Sequence, residues 1–203
     1  TSGASNVAVG LNALDANTTG TQNVAVGTQA LGANTTAAYN VAVGDSALLL
    51  NSTGTRNVAV GTFTLDANTD ANDNTGLGYQ ALKDNTTGAC NIAIGFQTLR
   101  ANTTGSSNTA SGNYALYSNT TASYSTAVGS SALKANTTAT SNVAVGHQAL
   151  LANTTGAQNA AHGSCSLRTN TTGERSTAVG TCALFANTTG DKNTALGSLT
   201  LQA

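Results

Sequence analysis

The fold class this sequence predicts is all-β, a parallel β-solenoid, and three observations point to it. A 17-residue unit, N-V-A-V-G-x-x-A-L-x-A-N-T-T-G-x-x, recurs twelve times without insertion or deletion, beginning at Asn6, Asn23, Asn40, Asn57, Asn74, Asn91, Asn108, Ser125, Asn142, Asn159, Ser176 and Asn193. Its first five residues alternate as a strand does, with β-branched pairs such as Val24/Val26, Val41/Val43 and Ile92/Ile94. Gly at position five (Gly10 to Gly197) and Leu at position nine (Leu14 to Leu201) are the same in all twelve units. A strict short period means that each unit buries its apolar side chains only by stacking on its neighbours.

Taken in order, each unit reads as a flattened coil. Positions two and four are expected to point into the coil and fill it together with the Leu of position nine on a second short strand. The unvarying Gly of position five implies a positive φ or a close backbone approach, hence a tight corner. Position twelve is Asn in every complete unit, from Asn17 to Asn187. Asn tolerates turn geometry and can form a ladder with the same residue above and below, pairing amides that would otherwise be buried unsatisfied. Gly or Ala at position fifteen (Gly20, Ala37, Gly54) marks the second corner. A helical unit is disfavoured, because A-L-x-A-N is too short before its Asn-Thr-Thr-Gly turn and β-branched residues open most units.

The opposite strand face, positions one, three and five, holds Asn or Ser, then Ala, then Gly, with Gly76 the one departure from Ala at position three. A face of such small side chains is expected where another surface approaches closely. In a slender solenoid that surface is most simply a second copy, so the chain is expected to assemble with itself.

Composition excludes several function classes. Only 7% of the residues are charged and 4% aromatic, which would suggest disorder were the register not fixed. The net charge of −1, with no basic stripe, gives no reason to bind nucleic acid. No apolar run is long enough to span a bilayer, and no charged-then-apolar leader opens the sequence. The whole of 1–203 reads as a single repeat domain, and the lack of distinct capping units leads us to expect an excerpt of a longer fibre. Twelve coils at strand spacing would span roughly 55–60 Å.

No residues are assigned to catalysis, cofactor binding or metal binding. A nucleophile with its base would have to break the repeat at one place, and nothing does. His147, at variable position six, is expected at an exposed corner. His162 takes the place of a branched residue at position four. If that position faced a threefold axis, three copies could hold a metal or anion. With position four assigned to the interior, His162 is instead expected to be buried and hydrogen-bonded. The acidic residues form no calcium-binding ladder. Ten Asn-x-Thr patterns, Asn34 and Asn85 among them, match the glycosylation signal, but glycans on successive coils would crowd, and a structural Asn ladder is the preferred reading. Adjacent Thr residues point to opposite sides, leaving one Thr column rather than the paired array of an ice-binding face. Cys165 and Cys182 share a position in consecutive units and are read as a thiol ladder rather than a bridge, and Cys90 as a tolerated small residue. Positions six, seven, ten and seventeen vary. They carry Phe63, Tyr79, Phe96, Tyr114, Tyr117, Tyr39 and Tyr124, and are where a cell-surface glycan or protein receptor could be read, although unconstrained solvent-facing residues are the preferred reading.

The Asn-Val-Ala-Val-Gly core resembles the head repeats of trimeric autotransporter adhesins. The fuller unit with A-L-x-A-N-T-T-G, as at 13–20, is more similar to repeats of bacteriophage tail-fibre proteins, whose length it matches better. The resemblance runs from Asn6 to the end. It implies a left-handed β-roll, a homotrimer, and a structural role as the shaft of an extracellular fibre in a virion, supporting host attachment. The alternatives are the head of a bacterial surface adhesin and a self-assembling extracellular filament.

Overall fold

In a computed structural model, which describes residues 3–201, the chain is a parallel β-solenoid. Residues 1–2 and 202–203, part of the single-domain reading of 1–203, lie outside the described residues. Each unit contributes one three-residue strand, from β1 (Val7–Val9) through β10 (Ala160–His162) to β12 (Thr194–Leu196). The twelve pair in sequence order into one parallel sheet, each strand lying beside the next along the chain. Register is strict: Val24 lies on Val41, Ala25 on Ala42 and Val26 on Val43. Each residue therefore stacks on the residue 17 places on, and a periodic sequence becomes a set of straight columns.

The strand is turned the other way from the sequence expectation. Position three is the buried one: Ala25 through Ala178 are fully enclosed wherever Ala occupies it. Positions two and four face outward, as the burial of Val24 (partial), Ala25 (full) and Val26 (partial) shows. The physical reason is the width of the coil. Across from the strand sits Leu of position nine, with Leu31 through Leu167 at 0% exposure, flanked by the small residue of position eight. Opposite a Leu, a narrow coil has room for a methyl group but not for two branched side chains. Stacking on the following coil completes the burial of each Leu: Leu14, which has a coil after it and none before, is 9% exposed, whereas Leu201 in the last coil is 58% exposed.

The expected second strand is absent among the described residues. Positions six to eleven form a tight succession of turns in which positions seven and nine both take positive φ, 57° at Gln29 and 50° at Leu31. Left-handed backbone is costly for a Leu, by about 1–2 kcal/mol. Here it aims every Leu inward, and the backbone still bonds between coils, Leu31 N–H to the Ala47 carbonyl at 3.0 Å and Ala33 N–H to the Leu49 carbonyl at 2.9 Å. The corner at position five is as expected. Gly44 has φ 136°, and a Cβ placed there would lie 2.6 Å from the carbonyl of Gly61 in the next coil. At the other corner the left-handed residue is position seventeen, as at Tyr39 (φ 64°), rather than position fifteen.

Two Asn columns close the polar end of the coil. At position twelve, Asn34 Nδ2 donates to Asn17 Oδ1 at 2.9 Å and to the Ala37 carbonyl at 3.2 Å. At position one, Asn23 Nδ2 donates to the same Ala37 carbonyl at 2.8 Å, and its Oδ1 accepts the backbone N–H of Asn40 at 3.0 Å. Both columns are buried, so position one is also interior rather than part of an outer face. Ser125 and Ser176 keep the acceptor role where Ser replaces Asn.

Candidate functional site

With the coil filled by Leu and Ala and sealed by Asn, no pocket opens among the described residues, and function falls to the outer faces. The first is the strand face. Positions two and four line up as two parallel columns along all twelve strands, made of Val, Ile, Leu and Thr except at Ser111, Ala160 and His162. Their exposure is substantial: Ile92 42%, Ile94 40%, Val128 40%, Leu77 45%. This is a largely apolar band, interrupted where Thr109 and Ser111 both face outward, and such a band is of the kind that marks an interaction surface.

Within those two columns His162 is the single titratable residue. Contrary to the sequence expectation it is exposed, because position four faces out, and it lies in register between Val145 and Val179. The strand that carries it, β10, also has Ala160, the smallest residue found at position two. His147 lies at an exposed corner, as expected.

The second face is a row of aromatic rings across consecutive coils. Phe63 meets Tyr79 edge-on at 6.3 Å, Tyr79 stacks on Phe96 at 5.5 Å, Phe96 meets Tyr114 edge-on at 5.3 Å, and Tyr114 meets Tyr117 at 5.7 Å. Lys83, Arg100 and Lys134 lie over rings of this row at 5.1–5.9 Å. Acidic groups balance these cations: Asp84 lies 3.9 Å from Arg100, and Asp66, its carboxyl pushed up by burial, is held down in part by Lys83. The row was missed from sequence because its members alternate between positions six, seven and ten. The available signal was aromatic residues at six or seven in four successive units.

The remaining candidates are dispersed. Cys90, Cys165 and Cys182 are free thiols, and burial and then Cys165 beside it hold Cys182 above the ordinary thiol range. Arg56 binds Asp73 one coil on through two bonds, 2.6 and 2.9 Å, which raises the guanidinium and lowers the carboxyl. The Asn-Thr-Thr amides are consumed by the ladder, Asn102 and Asn119 being fully buried and 2.7 Å apart. At position thirteen the hydroxyls from Thr18 to Thr171 bond the next coil, as Thr86 does to the Thr103 carbonyl at 3.0 Å, leaving position fourteen as the exposed Thr column.

No family model matches the chain, and no curated protein or solved structure matches it either.

Proposed function

We propose that this chain is a shaft segment of a homotrimeric extracellular fibre, a phage tail fibre that carries host recognition at a distance. The observation that carries the reading is the outward band, mostly Val, Ile, Leu and Thr, which runs the length of the solenoid and has no Lys, Arg, Asp or Glu at either outward position. A face that repeats once per coil is matched in pitch by another copy of the same coil. Cyclic closure then hides all such faces around one axis. The threefold order and the tail-fibre assignment come from the likeness of the repeat to such fibres. A shaft must resist bending, and here each coil is tied to both neighbours by sheet, Asn-ladder and turn hydrogen bonds.

The mass of the purified chain in solution tests assembly. Three times the 19.9 kDa chain mass is expected, and Val43→Lys with Val60→Lys, on the third and fourth of the twelve strands, should release folded monomers. A wild-type monomer overturns the reading. Retention tests the role. A shaft should pass over bacterial cells and matrix-coated surfaces without binding, whereas saturable retention on matrix proteins would favour the adhesin head.

A further inference from the structure

We propose that Cys165 and Cys182 together bind one monovalent copper ion, held in a line between their two sulfurs. The two thiols occupy position seven of consecutive coils. The site lies within one chain, so it does not depend on the assembly set out above.

The geometry begins with the backbone. Both residues sit in the same left-handed turn, at φ 57° and 54°. Cys165 N–H reaches the His147 carbonyl at 2.9 Å and Cys182 N–H the Ser164 carbonyl at 2.8 Å, the same bond made one coil apart. Side chains that leave matching backbones run parallel, and their Cβ atoms stand one coil spacing, ~4.8 Å, from each other. A disulfide needs Cβ atoms about 3.5–4.5 Å apart, so the coils would have to be drawn together to form one. Two metal–thiolate bonds of about 2.3 Å laid end to end span ~4.6 Å, close to the spacing that stacking already sets.

The ligand set selects the ion. Soft thiolates favour copper(I), and copper(I) is satisfied by two ligands in line. Zinc asks for four, and among the described residues no three His, Cys, Asp or Glu side chains gather to supply them. Binding releases both thiol protons to solvent and leaves the sulfur–copper–sulfur unit with one net negative charge. Arg168 is placed to offset that charge. Its Nε donates to Gln148 Oε1 at 3.0 Å, the same oxygen that accepts from Cys165 Sγ at 3.9 Å. Ser164 Oγ donates to Cys165 Sγ at 3.8 Å, and an ionised sulfur strengthens such a bond. Burial and then Cys165 beside it hold the Cys182 thiol up, and the Arg168 charge acts against that rise. Cys90, exposed at position seventeen, has no Cys in the coil on either side.

Titration of the reduced full chain with copper(I) in competition with a chromophoric chelator, under nitrogen and with native mass spectrometry, tests the proposal. The expected result is one copper ion per chain, with X-ray absorption showing two sulfur neighbours. Cys165→Ser and Cys182→Ser should each abolish the uptake. Both should keep the fold by circular dichroism, because Ser already holds position seven at Ser46 and Ser131. Arg168→Gln should weaken copper binding about 10-fold, and Cys90→Ser should leave it unchanged. Uptake that survives either position-seven serine variant, three sulfur neighbours around the copper, or a reduced chain that takes up none each overturns the site. So does a Cys165–Cys182 disulfide that forms on exposure to air, since it would show the sulfurs to be closer than a linear copper bridge requires.

Discussion

At position three Gly76 is the single Gly, and its neighbour explains it. A Cβ built at Gly76 would come within 2.5 Å of the Thr64 methyl, which fills the space that Ala of position eight leaves in most units. Gly76→Ala should therefore crowd the coil. Overpacking costs about 1–3 kcal/mol. The lower end is expected, because Thr98 and Ala110 occupy the same two positions two coils on and are accommodated. Thr64→Ala in the same chain should recover the loss, and urea denaturation of the single and double variants measures both; equal destabilisation with and without Thr64→Ala would break the link. The thiols make a second residue-scale case. A raised pKa leaves less thiolate at pH 8, so Cys182 should alkylate more slowly than exposed Cys90, a rate that iodoacetamide labelling followed by peptide mass mapping reads directly.

At the scale of one coil, stability is a neighbour effect. Leu99 is fully buried between Leu82 and Leu116 of the adjoining coils, and its own N–H reaches the carbonyl of Ala115 at 3.0 Å. Leu99→Ala opens a cavity shared by three coils and should cost about 2–5 kcal/mol. Thermal denaturation followed by circular dichroism checks it, and a loss under 1 kcal/mol would mean that the column can collapse around the gap. Much of the coil was legible beforehand. Gly at position five announced its corner, because no other residue sits well at φ near 130° against a backbone one coil away. The Asn of position twelve announced its ladder, because a buried amide needs both partners and the period supplies them. The turn conformation of Leu was not legible, since residue type predicts against positive φ at Leu.

At the scale of the molecule, the fold is a bundle of columns, and each column is as uniform as the sequence position that generates it. This is why one substitution such as His162 becomes a level on a face, and why Phe63, Tyr79, Phe96 and Tyr114 become a row of touching rings. The aromatic row stabilises its own corner by ring contacts, each contributing about 0.5–1.5 kcal/mol beyond area burial.

The period, the all-β class, the corner Gly and the laddered Asn were determined by sequence alone, because they depend on contacts between identical positions that any stacking of a 17-residue unit must create. Tertiary structure decided which side of the strand is inside. Alternation defines two faces, and both were free of charge here, so pattern could not rank them. The width of the coil ranked them: opposite a buried Leu there is room for Ala25 and its counterparts, and Val24 and Val26 are turned outward. The surface available to a partner is therefore the branched face rather than the small one, and His162, expected inside, lies on it.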